Sequence, residues 1–295
     1  MTSSLQMGRS GPNRPGPILS VNDLIVQFPS KHRFRKGFQA LNGVSLEIAP
    51  GETLGLVGES GSGKTTIGRA ILGLAPVTSG SIQLEGREIS QLKRRERRRL
   101  GKDLQVVFQD PYSSLNPSRT VGDTLSEPLL TLGVSPKEAR ARVSGLLGRV
   151  HLPTDAMDRL PREFSGGQRQ RVAIARALAL QPKVIVCDEP VSALDLSTQA
   201  RVLDLFAEIQ KDTGVAYLFI SHDLDVVRHV SGRVAVLYRG NLVESGDAHL
   251  VTTEPNHPYT QRLLLASPVP DPDAQAARRM AWRRLSHESR AGLVN

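Results

Sequence analysis

Cysteine is almost absent from the sequence. Cys187 stands alone among 295 residues, which excludes an internal disulfide and a cysteine-built metal cage. Long apolar runs are missing too. No stretch approaches the ~18 residues that a membrane-spanning helix needs, and no signal-peptide core is visible, so the chain is expected to stay in the cytosol. Aromatic residues make up only 4%, a poor supply for stacking single-stranded nucleic acid. No internal repeat is visible. What remains is ordinary for a globular protein: 39% hydrophobic, 23% charged, and long enough to bury a full core as one large domain or two small ones. The charge balance is less ordinary. Lys and Arg number 38 against 29 Asp and Glu, a net charge of +9, which suits nucleic acid or an anionic membrane surface.

One stretch organises the chain: Gly58-Glu59-Ser60-Gly61-Ser62-Gly63-Lys64-Thr65, with Thr66 following. It matches G-x-x-x-x-G-K-[ST]. Glycines at these positions let successive backbone N–H groups point into one concavity, which suits polyphosphate oxygens. Lys64 can reach the β- and γ-phosphates, and the Thr65 hydroxyl can ligate Mg²⁺. Thr53 to Val57 reads as a short buried strand, and Thr66 to Leu72 as a helix whose N-terminus faces the same anion.

Around this loop the chain alternates strand and helix. Residues 1–17 are Ser-, Gly- and Pro-rich and read as a disordered tail. Ile18 to Phe28 and Val44 to Ile48 read as strands, with a basic loop from Pro29 to Phe38 between them. Ser81 to Leu84 and Gln105 to Phe108 are further strands. Lys93 to Arg99 is a dense positive run, either a solvated helix face or a patch for anionic lipid or an acidic partner. Residues from about 110 to 165 change character and form a helical insertion. Within it, Ser135-Pro136-Lys137-Glu138 is a capping box, followed by a stripe of Ala139, Val143, Leu146, Leu147 and Val150. Past it, Val172 to Leu180 is a helix, Lys183 to Cys187 a buried strand, Leu196 to Lys211 an amphipathic helix, and Ala216 to Ile220 another strand. Val234 to Tyr238 and Leu242 to Glu244 form a hairpin about Arg239-Gly240-Asn241. From 254 onward an extension packs on the core and passes into a basic tail ending at 295.

Two motifs add chemistry. Val184-Ile185-Val186-Cys187-Asp188-Glu189 is an apolar strand ending in two carboxylates. That edge would place Asp188 at the Mg²⁺ beside the glycine loop, and Glu189 could orient or deprotonate an attacking water. Ser165-Gly166-Gly167-Gln168 is Gly-rich and opens a helix, a second backbone anion site. Since the glycine loop already fills the chain's own phosphate site, a second site suggests that two chains share nucleotides between them.

Ser165-Gly166-Gly167-Gln168-Arg169-Gln170-Arg171 resembles the signature motif of the ATP-binding cassette (ABC) ATPases. The glycine loop, Gln109, the signature, Asp188-Glu189, Ser192-Ala193-Leu194-Asp195 and His222 stand in that family's order. Phe108 to Pro117, Glu254 to Thr260 and Leu263 to Pro268 are similar to the oligopeptide and dipeptide importer ATPases. The resemblance implies an α/β fold: a RecA-like P-loop NTPase core with an antiparallel β subdomain and an inserted α-helical subdomain, over residues 18–253. It implies ATP and Mg²⁺, the metal contacted by Thr65, Gln109 and Asp188. Lys64 and the loop amides would hold phosphate, Glu189 would act as base, and His222 would contact the γ-phosphate unless it is a capping or surface histidine. Phe28 matches an adenine-stacking position, or else is a core residue. Ser165 to Gln168 would close on a partner's ATP, and Asp195 would bridge the halves. The implied partners are two transmembrane permease subunits, a second and paralogous ATPase, and an external solute-binding protein, at the cytoplasmic face of the inner membrane. No nucleic-acid partner is expected, although the basic charge keeps open a soluble ABC ATPase acting on nucleic acid or ribosomes. Importers of nickel or other small solutes share the pattern. The iron–sulfur cluster of some peptide-importer ATPases is not expected, because Cys187 alone cannot hold one.

Overall fold

The computed structural model describes residues 16–29, 37–110 and 114–266. The expected N-terminal tail up to residue 15, most of the basic loop, three residues of the loop after Gln109, and the basic tail from 267 lie outside the described residues.

Two sheets form the frame. Strands β1 (Leu19–Phe28), β2 (Phe38–Ile48), β4 (Ser79–Leu84) and the two-residue β5 (Arg87–Glu88) make an antiparallel sheet in the order β2-β1-β4-β5. The second sheet has six strands in the order β10-β9-β3-β8-β7-β6. Its members β3 (Thr53–Val57), β6 (Leu104–Val107), β7 (Val184–Asp188), β8 (Ala216–Ile220) and β9 (Arg233–Tyr238) run parallel, and β10 (Asn241–Asp247) returns antiparallel to β9. β3 and β8 are buried at every residue, as strands covered on both faces must be.

Alternation along these strands divides the interior into two cores. Leu54, Leu56, Val184, Val186, Leu218, Ile220, Ala235 and Leu237 face one side, joined by α1 (Lys64–Ile71) and the inner face of the antiparallel sheet. Val57, Ile185, Cys187, Tyr217, Phe219, Val234 and Val236 face the other. That side is covered by α5 (Gly166–Leu178), α6 (Leu196–Thr213) and α7 (Leu224–Val230), with the helical insertion beyond. The insertion comprises α3 (Val121–Thr131), α4 (Pro136–Arg149) and two short 3-10 turns. Cys187 is fully buried in β7, an inner strand of the sheet, where burial pushes its thiol up.

Several boundaries differ from expectation for local reasons. β2 starts at Phe38, six residues earlier than Val44, because its whole length pairs with β1 across irregularities in register. The signature helix starts at Gly166 because Ser165 and Gln168 cap it reciprocally: Gln168 N donates to Ser165 Oγ (3.3 Å) and Ser165 N to Gln168 Oε1 (2.9 Å). At α4, Ser135 Oγ accepts from Glu138 N, but the Glu138 carboxylate pairs with Arg142 at 2.5 Å, so only half of the expected box forms. The hairpin forms with a tighter turn than expected: Asn241 already pairs with Tyr238 and β10 runs on to Asp247, leaving Arg239 and Gly240 as the turn, both at positive φ (47° and 78°), the twist a two-residue turn needs. Beyond it lie α8 (Ala248–Thr253) and α9 (Pro258–Ala266).

The basic run becomes α2 (Arg94–Leu100), and it is not uniformly solvated. Lys93, Arg95, Arg98 and Arg99 are exposed, but Arg97 turns inward. Its guanidinium donates to Ile71 O (3.0 Å) at the end of α1 and to Ile89 O (2.6 Å), tying α2 to the helix that follows the glycine loop. Arg97→Ala should therefore cost about 1–3 kcal/mol, since two partly buried carbonyls lose a charged donor. Arg98→Ala on the exposed face should stay within ~0.5 kcal/mol. Urea unfolding of both variants checks this; equal effects would mean that Arg97 does not anchor the helix.

Candidate functional site

All the expected catalytic side chains project from the carboxyl ends of the parallel strands. The glycine loop follows β3, Gln109 follows β6, Asp188 and Glu189 end β7, and His222 follows β8. Register makes this a common edge: Val107 is opposite Cys187, Asp188 opposite Ile220, and Leu56 opposite Ile220. In open α/β sheets this edge is where ligands bind.

The glycine loop is shaped by its neighbours. Gly58 has φ 152°, and a Cβ there would lie 2.2 Å from Leu237 O, so no side chain fits. The β9–β10 hairpin supports the loop from behind, with Gly240 N donating to Ser62 O at 2.9 Å. Lys64 is buried, and its ammonium donates to Gly58 O (2.7 Å) and Glu59 O (3.0 Å). Burial lowers its pKa, opposed by the nearby carboxylates of Glu189, Asp188 and Glu59. Ser62 Oγ is buried without a hydrogen-bond partner, an orphan that an anion oxygen would satisfy. Ser60 and Gly61 form the exposed tip, while Thr65 and Thr66 lie half-buried in the first turn of α1.

Thr65 Oγ1 donates to Asp188 Oδ1 at 3.0 Å. The Asp188 carboxyl is pushed up, chiefly by burial, with the Thr65 hydrogen bond opposing and the Glu189 charge adding to the rise. It is thus a partly buried anion short of positive charge. That fits Mg²⁺, a hard cation which takes one or two protein oxygens and completes its shell with water and substrate phosphate. Among the described residues, no group of three or more His, Cys, Asp or Glu side chains could hold a metal by itself.

Glu189 gathers the remaining residues. Gln109 Nε2 donates to Glu189 Oε2 at 3.2 Å, and His222 Nδ1 lies 3.3 Å from the same oxygen. Glu189 itself has φ 50°, rare for a residue with a side chain, and its N–H is held by Ile220 O at 3.0 Å. Backbone strain of this kind clusters at functional positions. A cavity of about 90 Å³ lies beside it, lined by Glu189, Ser192, Gln199, Ser221 and His222. It is roomy enough for water, which needs ~10–15 Å³ and polar partners.

Six expected residues stand apart from this cluster. Ser165 and Gln168 bond to each other, at the start of a helix on the opposite face of the sheet from α1. Gly166 and Gly167 complete that corner, and Gly167 has a packing role as well, since a Cβ there would lie 2.3 Å from Thr198 Cγ2 of α6. Asp195 caps α6 by accepting from Thr198 N (3.0 Å) and Ser197 Oγ (2.7 Å), bonds that hold its carboxyl far below the usual range. Phe28 is 37% exposed at the end of β1, opposite an exposed Phe38, and belongs to neither buried core cluster among the described residues.

One contact was missed by sequence reasoning. The N–H of Glu59, expected to serve a nucleotide, donates instead to the Tyr259 hydroxyl at 2.9 Å, two hundred residues along the chain. Only the resemblance over Glu254 to Thr260 drew attention to that stretch, and it carried no hint of contact with the glycine loop.

The family described as ABC transporter matches residues 41–192. The glutathione import ATP-binding protein GsiA of Escherichia coli (strain K12) is 49% identical over 269 residues, covering 90% of this chain and 43% of that protein. The protein of that name from Pectobacterium atrosepticum is 50% identical over 266 residues, covering 88% and 43%. The chain thus spans less than half the length of these relatives. Among solved structures, cbiO1 from Clostridium perfringens, part of the ABC transporter complex cbiONQ, superposes with TM-score 0.73 at 30% identity, covering 81% of this chain and 92% of that one. A dimeric post-hydrolysis structure of the ATP-binding cassette MJ0796, bound to ADP and Pi, gives TM-score 0.69 at 28% identity, with 78% and 98% covered.

The raised Asp188 pKa makes a prediction about the nucleotide-free protein. A carboxyl whose folded pKa lies above its unfolded value weakens the fold once it ionises, and the penalty fades as pH falls through the folded pKa. Asp188→Asn should therefore raise Tm by roughly 1–4 °C at pH 7 without metal or nucleotide, the scale expected for about 1 kcal/mol in a domain of this size. The gain should shrink toward the ordinary carboxylate range. Scanning fluorimetry across pH checks this, and a lower Tm at pH 7 would mean that the carboxylate is a net stabiliser.

Proposed function

Because the chain belongs to the ABC transporter family, we propose that it is the ATP-hydrolysing subunit of an importer, working as one of two cassettes that hold ATP between them. The observation that carries this reading is the division of the anion-binding elements. The glycine loop and the signature corner begin helices on opposite faces of one sheet, while Gln109, Asp188, Glu189 and His222 converge beside the glycine loop alone. A second chain supplying its own signature corner completes the pocket.

In this mechanism the loop amides and Lys64 bind the phosphates of ATP, and the exposed Phe28 ring stacks on the adenine. Thr65 and Asp188, with Gln109 at hand, would hold Mg²⁺, which would supply positive charge beside the phosphate oxygens. Glu189 takes the proton of the attacking water, and Gln109 and His222 keep its carboxylate aimed at that water. His222 also contacts the γ-phosphate. Ser165 to Gln168 contact the ATP of the partner, and Asp195 bridges the halves. ATP draws the cassettes together because both bind it only when closed, and release of products lets them part. Transmembrane permease subunits read this movement as a switch between inward- and outward-facing states.

The substrate class we propose is short peptides. Support comes from the name glutathione import carried by relatives at 49–50% identity, since glutathione is itself a tripeptide, and from the resemblance of Phe108 to Pro117 and Glu254 to Thr260 to peptide-importer ATPases. The same reading supplies a paralogous second cassette, an external solute-binding protein and a peripheral site on the inner membrane's cytoplasmic face.

Two variants test the site. Lys64→Ala should weaken MgATP binding by about tenfold or more, since a charge-assisted contact worth ~1.5–3 kcal/mol is lost. Unchanged binding would remove the phosphate assignment. Glu189→Gln should bind MgATP yet hydrolyse it at least ~100-fold more slowly, and should accumulate as a closed dimer with its mate in size-exclusion chromatography. Full turnover in that variant would place the base elsewhere.

A further inference from the structure

We propose that Tyr259, outside the nucleotide-binding motifs, is a positioning residue for the glycine loop, so that the C-terminal helix α9 sets the affinity of the site for ATP. The argument rests on one peptide unit. The amide joining Gly58 to Glu59 is held at both ends: its C=O accepts from Lys64 Nζ at 2.7 Å, and its N–H donates to Tyr259 Oη at 2.9 Å. A peptide is planar, so fixing the N–H fixes the direction of the C=O. The tyrosine hydroxyl therefore orients the carbonyl that holds the buried lysine.

The tyrosine is itself immobilised. Its ring is buried and lies against Tyr238 with centroids 4.1 Å apart, and Tyr238 belongs to the hairpin that also supports Ser62. Its backbone N–H donates to His257 Nδ1 at 3.1 Å. One step further back, the Glu244 carboxylate of β10 accepts from Asn256 N (2.8 Å) and His257 N (3.2 Å), and Gln261 Nε2 closes the turn on Pro255 O (3.0 Å). A continuous set of bonds runs from the sheet edge through residues 255–261 to the mouth of the glycine loop. Glu254 to Thr260 thus acts as an outer wall of the nucleotide site. A partner that shifts α9 alters the peptide that holds Lys64, a route for regulating nucleotide affinity through the C-terminal segment.

This inference deepens the proposed function and rests on it, so one of its tests needs no nucleotide. Tyr259→Phe in the full chain removes only the hydroxyl. Hydrogen exchange at the Glu59 amide, followed by NMR without ATP, should quicken at least about tenfold, the factor expected for loss of a bond worth ~1.4 kcal/mol. The same variant should raise Kd and KM for MgATP about three- to tenfold with kcat reduced less than twofold and Tm within ~2 °C of the parent. Tyr259→Leu, which also removes the stacking on Tyr238, should lower Tm as well. Unaltered Glu59 exchange, or exchange that quickens while MgATP affinity stays at the parental value, would overturn the positioning role and leave the nucleotide site standing. A parent chain that binds no MgATP would remove the nucleotide site, and this inference with it.

Discussion

The parallel register of β6, β7, β8 and β3 is the constraint on which the site depends. It brings Gln109, Asp188, Glu189, His222 and the glycine loop to one edge, although they are spread over more than half of the chain. No short-range preference could achieve this. It follows from strands apolar on both sides, which must be covered on both faces and therefore stack in parallel with helical crossovers. A slip of one residue in β7 would send Asp188 and Glu189 to exchanged positions and turn Cys187 toward the wrong core.

The edge is also under electrostatic tension. Lys64 loses hydration and is pulled toward its neutral form, while burial drives Asp188 toward protonation. Each limits the other's cost, yet neither charge is fully matched. A site left partly unbalanced in this way favours a ligand that brings charges of both signs, a polyanion together with a divalent cation. The backbone of Glu189, held in the left-handed region, and the orphaned Ser62 hydroxyl add to the same stored imbalance.

Much of this was legible in the sequence. The strand before the glycine loop, Thr53 to Val57, and the strand Ala216 to Ile220 are found at the residues expected, because continuous apolar runs between turn residues leave few alternatives. The site cluster was legible because its motifs have fixed spacing and each sits at a strand end. What escaped had a common cause, dependence on a partner distant in sequence. β2 runs through Asn42 and Gly43, which look like breakers, because β1 pairs with it on both sides of them, from Phe38 to Ile48. Arg97 is indistinguishable from Arg95 or Arg98 in a basic run until Ile71 and Ile89 present their carbonyls. Tyr259 is an unremarkable aromatic until the hairpin brings Glu59 beside it.

The buried Cys187 has a practical consequence. Its thiol lies in β7, an inner strand of the sheet, out of reach of solvent, and its raised pKa leaves almost no thiolate at neutral pH. Alkylating reagents should therefore meet it only when the sheet itself opens. Since it is the sole cysteine in the chain, its modification rate is a natural clock for global opening events. The folded surface, in turn, offers an unreactive background onto which single probe-bearing cysteines could be introduced.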